Sequence, residues 1–429
     1  MENNNIPKVL ILSNTPLHLS DSNGRVLGFL LNGIPNDRKI QFCIQGNSVS
    51  EELIDNCYRI TDIEIAKGFL SKKIQAHKLP NFDQPGLYKS RKKRVKRTPL
   101  SMLLRDIAWT LCLKKTDYFV IASRFQPDII LWQYGDSGFM ARLSLALSKV
   151  CNAKLVIFST EDYCFKKWNY LTKKRRGIIY NLFFREMYYS TKKALENSTL
   201  CIFNTPQLAK RFHDEFKITT NVIMQSANSS VSRIKSLSVN EKIVIYAGNL
   251  GLNRHLSLIE IAKEMNCIDP SICFEIYGHA SEKVMQAFIN EPNIKYNGFV
   301  SYESILNRTS TSLLSVHAES FEDFYKKDLQ AAFSTKIPDL LASKTPLFIY
   351  APDCLAETQY LKNNGCAFVC TERNSLRESL ESALYDNKLR DEVVYKSMEI
   401  VNSNHNNKKN ENKMIELLNK VVSGTAVDN

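Results

Sequence analysis

A chain of 429 residues, 44% hydrophobic and 24% charged, is too long for one hydrophobic core and too apolar to stay disordered, so two globular domains are expected. Its eleven cysteines are odd in number, irregularly spaced and often inside apolar runs, as Cys43, Cys201 and Cys273 are, which excludes a disulfide scaffold in favour of reduced core thiols. The net charge of +13 implies an anionic partner, and electrostatics alone leaves nucleotide, nucleic acid and membrane open.

In chain order, Met1 to Asn5 lack the basic and apolar regions of a secretory signal, so a cytoplasmic location is expected. Val9 to Leu12 reads as a buried strand, a helix starts after Asn23, and Gln41 to Ile44 gives a second strand. A basic run follows, Lys89 to Arg97, and then a helical pattern from Pro99 to Leu113. Arg105 and Asp106 interrupt it, so it falls short of the roughly 18–20 apolar residues of a membrane span. Leu103, Leu104, Ile107, Leu111 and Leu113 are available for an apolar face, which either packs into the first domain or lies on a membrane beside the basic run. Asp128 to Trp132, Lys154 to Phe158 and Thr199 to Phe203 are three more strands, each followed by a helical stretch. Tyr170 to Glu196 reads as one such helix, and it contains a second basic cluster, Lys173 to Arg176.

Gln225 to Asn240 is a Ser, Asn and Val run without periodicity, a linker by composition. A fresh series of strands begins after it, at Ile243 to Ala247, Cys273 to Tyr277, Ser312 to Val316, Leu347 to Tyr350 and Ala367 to Val369, with helices near His255, Ser281, Ser301, Ile337, Leu355 and Ser375. Both halves therefore read as doubly wound α/β units. The expected domains are residues 1–230, residues 231–402, and a C-terminal helix with a frayed tail over residues 403–429. Ligands of open parallel sheets bind beyond the carboxyl ends of the strands, which directs attention to the loops there and to a cleft between two facing sheets.

Two such loops carry chemistry. Gly248, Asn249, Leu250, Gly251, Leu252, Asn253 and Arg254 follow a strand and open a helix. Glycine lets a backbone approach a phosphate closely, a helix start offers free N–H groups, and Arg254 adds a forked donor; a glycine-rich turn also serves plain structure. In the second loop, Ser334 and Thr335 are placed to cap a helix containing Pro338, with Lys336 aimed at an anion and Asp339 one turn in, where it suits ribose hydroxyls. Cys366 and Cys370 fit no common zinc spacing, no Asp-x-Asp pair is placed for a metal, and none is expected.

From about Lys242 to Leu384, the order of these pieces, with Asn297-Gly298-Phe299-Val300 and Ser334 to Pro346 among them, resembles the retaining GT-B glycosyltransferases of the large family four type, common in bacterial polysaccharide assembly. The resemblance implies two Rossmann-like domains facing across a cleft. It implies transfer of a sugar from a nucleotide diphosphate sugar to a saccharide or lipid-linked acceptor in surface polysaccharide or capsule synthesis, without a metal or other cofactor. By position, the family's phosphate-binding lysine matches Arg254, and its preceding arginine falls on Asn249, leaving Lys336 to compensate. Gly248, Ser334 and Thr335 surround the phosphates, Gly298, Phe299 and Val300 hold the base, and Asp339 takes the ribose. The family's second acid has no clean counterpart, because Glu319, Glu322 and Asp323 lie upstream in a lengthened loop. In the first half the resemblance rests on Asn14 to Gly28, with Gly24 near the diphosphate, and on Phe203-Asn204-Thr205-Pro206. Gln133 to Asp136 stand where the family often has a histidine. Asp136, Glu161 and Asp162 are candidates for the acceptor side.

Three other readings compete or add. A sugar-nucleotide epimerase shares the architecture. A nucleic-acid binder is disfavoured, because Lys89 to Arg97 has one aromatic nearby and no recognisable binding module. The same basic run next to the Pro99 helix fits an anionic membrane, placing the protein peripherally at the inner face of the plasma membrane.

Overall fold

The computed structural model describes residues 6–19, 21–81, 96–228 and 242–425. Most of the basic run and most of the expected linker lie outside the described residues. The chain divides into two compact units, residues 1–224 with 408–429, and residues 225–407.

The first unit runs β1 (Val9–Leu12), α1 (Ser22–Leu30), β2 (Lys39–Cys43), β3 (Cys57–Arg59), α2 (Asp62–Lys67), β4 (His77–Lys78), α3 (Pro99–Cys112), α4 (Tyr118–Phe125), β5 (Ile129–Gln133), α5 (Gly138–Cys151), β6 (Lys154–Ser159), α6 (Ile178–Glu196), β7 (Leu200–Phe203), α7 (Pro206–Phe216) and β8 (Thr220–Val222). These strands form one sheet in the order β4-β3-β2-β1-β5-β6-β7-β8, parallel except at β3–β4. Parallel strands covered by helices on both faces carry continuous apolar runs, and β1, β2, β5 and β7 are buried at every residue. On one face Leu27 and Leu30 of α1 join Val9, Ile11 and Leu131 in the core. Trp109 of α3 stacks on Phe139 of α5, ring centres 4.5 Å apart.

The second unit runs β9 (Ile243–Ala247), α8 (Arg254–Ile268), β10 (Cys273–Tyr277), α9 (Glu282–Ile289), β11 (Ile294–Gly298), α10 (Tyr302–Ser310), β12 (Leu314–Ala318), α11 (Asp323–Asp328), α12 (Ile337–Ala342), β13 (Leu347–Tyr350), α13 (Ala356–Asn364), β14 (Phe368–Cys370), α14 (Leu376–Tyr385) and α15 (Asn387–Asn404). Its sheet is β11-β10-β9-β12-β13-β14, parallel throughout. In both sheets the winding reverses beside the first strand, between β1 and β5 and between β9 and β12. A crevice for ligands opens at such a switch point.

Four expectations change. The last segment is not a separate tail: α16 (Asn407–Ser423) belongs to the first unit, because Met414, Leu417, Leu418 and Val421 repeat at i, i+3, i+4, i+7 and enter its core. The helix expected from Tyr170 begins only at Ile178, since Lys173 takes a left-handed φ of 58° and Gly177 is the cap. The pattern from Pro99 does form a helix, but it buries Met102, Asp106, Trp109 and Cys112 and leaves Leu104, Ile107 and Leu111 exposed. The strand expected at Ser312 to Val316 sits two residues later, at Leu314–Ala318. That shift puts His317 inside the sheet and Glu319 just past its end. Among the described residues the cysteines are free thiols.

Candidate active site

The loop after β9 and the loop after β12 meet at the switch point of the second sheet. Gly248 donates its N–H to Tyr277 at the end of β10, 2.8 Å. Asn249 braces the turn: its side-chain oxygen accepts the Gly251 N–H at 2.8 Å, and its carbonyl accepts the Tyr246 hydroxyl at 3.0 Å. Asn249 thus holds the loop's own shape through these two oxygens. Gly278, with φ of 148°, faces the Gly248 carbonyl so closely that any Cβ would collide with it.

Arg254 opens α8, and its guanidinium grips Glu319 with both arms, Nε to Oε2 at 2.8 Å and Nη2 to Oε1 at 2.7 Å. The arginine side chain is 14% exposed and the glutamate 3%. Glu319 is therefore the acid that positions Arg254, and Ser257 fixes the Glu319 carbonyl at 2.7 Å. His317, buried in β12, places Nε2 2.8 Å from Glu357 and 3.6 Å from Glu319. The other Glu357 oxygen accepts the Ser334 N–H at 2.9 Å. Burial and the neighbouring Glu357 push the Glu319 carboxyl up. Burial acts on Glu357 too, but His317 and the Ser334 N–H outweigh it and hold that carboxyl low. Two carboxylates in one dry pocket split in this way.

Among the described residues, ligand atoms of His317, Glu319 and Glu357 lie within 4.8 Å of one another, close enough for a metal ion. Their facing atoms are occupied by each other, by Arg254 and by the Ser334 N–H. The cluster thus ties the loop after β9 to β12, α13 and the approach to α12.

Lys336 reaches across to the same place. Its Nζ donates to the Ala247 carbonyl at 3.0 Å and lies 5.3 Å from the centre of the Tyr246 ring. Burial, with help from the Arg254 charge, lowers its pKa to about 8. Gly248 leaves room for it, since a Cβ there would overlap Nζ. Lys336 thus lies against Gly248 at the strand end, and Arg254, 82 residues away in sequence, points Nη1 at the carbonyl of the next residue, Asn249, at 3.4 Å.

The remaining expected residues fare unevenly. Ser334 and Thr335 do not cap α12 with their side chains; Lys336 is the cap residue, and Ser334 is held instead through its N–H. Asp339 is buried, and its two oxygens accept the Asn228 N–H at 2.8 Å and the Tyr302 hydroxyl. Gly298 ends β11 and accepts the Gly278 N–H at 2.8 Å. Phe299 is 71% exposed and stacks flat on His279, 4.7 Å between centres, a platform at the ends of β10 and β11. Val300 follows it in the loop before α10.

In the first unit, Gly24 lies in the first turn of α1 and gives its N–H to Asp21 at 2.8 Å. Asp136, just past β5 at that sheet's switch point, is buried, paired with Arg97, and accepts the Tyr170 hydroxyl at 3.1 Å. Asp162 is buried and neutralised by Lys166 at 2.7 Å and Arg211 at 3.1 Å. Glu161 is half-buried beside it, its backbone fixed by Ser159.

No family model matches the chain, and no curated protein matches it. Solved structures do. HepE from Anabaena, in complex with UDP and glucose, superposes with a TM-score of 0.62 at 14% identity, covering 96% of this chain and 99% of that one. Sucrose-phosphate synthase from Thermosynechococcus elongatus gives 0.63 at 13% identity over 97% and 99%, and a glycosyltransferase from Rickettsia africae gives 0.61 at 13% over 97% and 99%. The fold is GT-B. At these identities the likeness establishes two parallel-sheet Rossmann-like units, as the sequence implied.

Glu319, His317 and Glu357 are the site residues that the sequence left unassigned. Glu319 had a signal, since it follows a buried strand by one residue, but a strand placed two residues early hid it. His317 and Glu357 read as ordinary members of a strand and a helix, and only their meeting across 40 residues gives them a role.

Proposed function

We propose that the protein is a glycosyltransferase that moves a sugar from a nucleotide diphosphate sugar to a saccharide or lipid-linked acceptor in surface polysaccharide synthesis, with retention at the transferred carbon. The observation that carries this reading is the pair of cations held at the loop after β9, Lys336 against Ala247 and Gly248 and Arg254 beside Asn249, at the switch point of the second sheet. Departure of a nucleoside diphosphate builds negative charge on phosphate oxygens, and fixed cations in a dry site stabilise it with no reorganisation during reaction. Glu319 holds the guanidinium at its post, and Lys336 adds charge from the other side. Asp339 with Tyr302 takes the ribose, and the His279–Phe299 stack offers a face for the base. Asp136 is the acceptor-side candidate of the first unit. HepE is complexed with UDP and glucose, which makes UDP the first probe.

The protein is read as cytoplasmic and peripheral at an anionic membrane, through Lys89–Arg97 and the α3 segment. No helix among the described residues is long and apolar enough to cross a bilayer. UDP, GDP and ADP, each with its sugars, should be screened for protection against thermal unfolding, followed by product analysis with and without acceptor. One nucleotide should raise Tm, and Arg254→Ala and Lys336→Ala should each sharply reduce the effect while remaining folded, through loss of a charge-assisted contact of about 2–3 kcal/mol. Absence of protection by every nucleotide would overturn the reading. Conversion of the donor without acceptor would reassign the protein to the epimerases.

A further inference from the structure

Glu357 meets the supports of both site cations. It lies in the first turn of α13 and is 3% exposed, and each of its oxygens has a partner inside the protein. Oε2 accepts the N–H of Ser334 at 2.9 Å, two residues before Lys336 in the same segment. Oε1 lies 2.8 Å from His317 Nε2, and that nitrogen is 3.6 Å from Oε1 of Glu319, the carboxylate that grips Arg254. The Glu319 N–H continues the β12 ladder onto the Tyr350 carbonyl at 3.1 Å. His317 and Glu319 are therefore two apart on extended chain, and their side chains leave the same face of the sheet.

The same carboxylate acts on both cations through space. At Lys336, Glu319 and Glu357 offset part of the burial that lowers the pKa; at Arg254, burial is outweighed by Glu319 foremost, with Tyr246 and Glu357 adding. A buried ion pair contributes little net stability, since a well-packed apolar pair of the same volume is often as stable or more so. What Glu357 supplies is fixed geometry. Ser334 shifts only by leaving a buried charge, and Glu319 turns only against His317. The start of α13 holds the segment before Lys336 at a second point, because the Ala356 N–H donates to the Gln330 carbonyl at 2.9 Å.

We propose that Glu357 is a positioning residue for the donor diphosphate: without touching the ligand, it holds Arg254 through His317 and Glu319, and Lys336 through the Ser334 N–H, in one fixed arrangement. This rests on the nucleotide-sugar reading of the site. Loss of Glu357 then reaches the phosphates selectively. The His279–Phe299 stack that offers a face for the base stands at the ends of β10 and β11, on the other side of β9 from β12 in the sheet order, and should keep its geometry.

The test is calorimetric titration of the full chain with whichever of UDP, GDP and ADP protects wild type, and with the matching nucleoside, which lacks the phosphates. Glu357→Gln keeps the side-chain volume and an oxygen for the Ser334 N–H but removes the charge facing His317. It should weaken diphosphate binding about ten- to hundredfold, the range that outer partners of metal ligands contribute to metal affinity, while nucleoside binding stays within about twofold. Retained nucleoside binding also reports, on the same sample, that the unit is folded. Should Glu357→Gln not fold, His317→Gln leaves both carboxylates and the Ser334 bond in place and tests the Arg254 arm by itself, with about tenfold loss of diphosphate affinity expected. Wild-type diphosphate affinity in the variant overturns the proposal, and so does an equal loss for diphosphate and nucleoside, which marks a role in stability alone. If wild type binds none of the three diphosphates, the transferase reading fails and the positioning role falls with it; binding by wild type beside an unaffected Glu357→Gln overturns the positioning role and leaves the transferase reading standing.

Discussion

Replacing Gly248 with alanine separates a lysine that serves a ligand from one that serves the fold. The new methyl would overlap Lys336 Nζ and sit 3.1 Å from its Cε, so the ammonium must withdraw by about 1–2 Å to restore van der Waals contact. The obstacle is the tip of a flexible side chain, and the main chain need not move. Withdrawal breaks the 3.0 Å bond to the Ala247 carbonyl, and a hydrogen bond to a charged group contributes about 1.5–3 kcal/mol. Opposing this, the ammonium escapes the burial that lowers its pKa to about 8. The two effects nearly cancel, for a net stability change within about 1 kcal/mol and a Tm shift within about 2–4 °C. Donor binding has no such offset. Loss of one charge-assisted contact, about 2–3 kcal/mol, weakens nucleotide affinity roughly 30- to 150-fold. Calorimetric titration with UDP and differential scanning calorimetry read the two quantities on one sample. Gly278→Ala is the control with opposite behaviour: its Cβ meets the Gly248 backbone carbonyl at a φ of 148°, so it should lower Tm well beyond that range. Wild-type nucleotide affinity in Gly248→Ala would refute the placement of Lys336 at the phosphates.

Glu319→Gln leaves Arg254 buried without a counter-charge and should destabilise the unit by about 3 kcal/mol; an anionic ligand then supplies the missing charge, so UDP should raise Tm more in this variant than in wild type, and an equal or smaller rise contradicts the arrangement. Lys336→Met should stabilise the unit while abolishing nucleotide binding, since a pKa lowered from 10.5 to about 8 corresponds to about 3 kcal/mol of burial penalty at neutral pH, less the lost hydrogen bond; a lower Tm counts against it. His405 is buried between the Gln225 carbonyl at 2.6 Å and the Tyr360 hydroxyl at 3.0 Å, and burial lowers its pKa to about 4. Its unfolded form binds a proton near pH 6.5, so the stability it contributes is complete above that pH and is lost as pH falls toward 4, at up to about 1.4 kcal/mol per unit. Denaturant titrations between pH 7 and 4 should show a shallower decline in His405→Gln, and an unchanged slope would rule the histidine out as the source.

Much of the molecule was legible in one dimension because its causes are local. Strands buried on both faces are continuous apolar runs, so Ile243–Ala247, Cys273–Tyr277 and Leu347–Tyr350 were read to the residue, and their alternation with helices led to two doubly wound sheets. Glycines and a cation on a strand-to-helix turn marked Gly248 and Arg254, and the Ser-Thr-Lys-Ile-Pro run marked Lys336. What the sequence could not determine was partnership. Periodicity says that α3 has apolar faces but not which one the core takes, and it offers no sign that α16 returns to the sheet at the start of the chain. Nor does a carboxylate announce its cation: Arg254 finds Glu319 across 65 residues and Glu319 meets His317 and Glu357 only where β12 and α13 converge. Charge state and reach of the site cations follow from burial and from those distant neighbours, and both exist only once the sheet has brought its strand ends together.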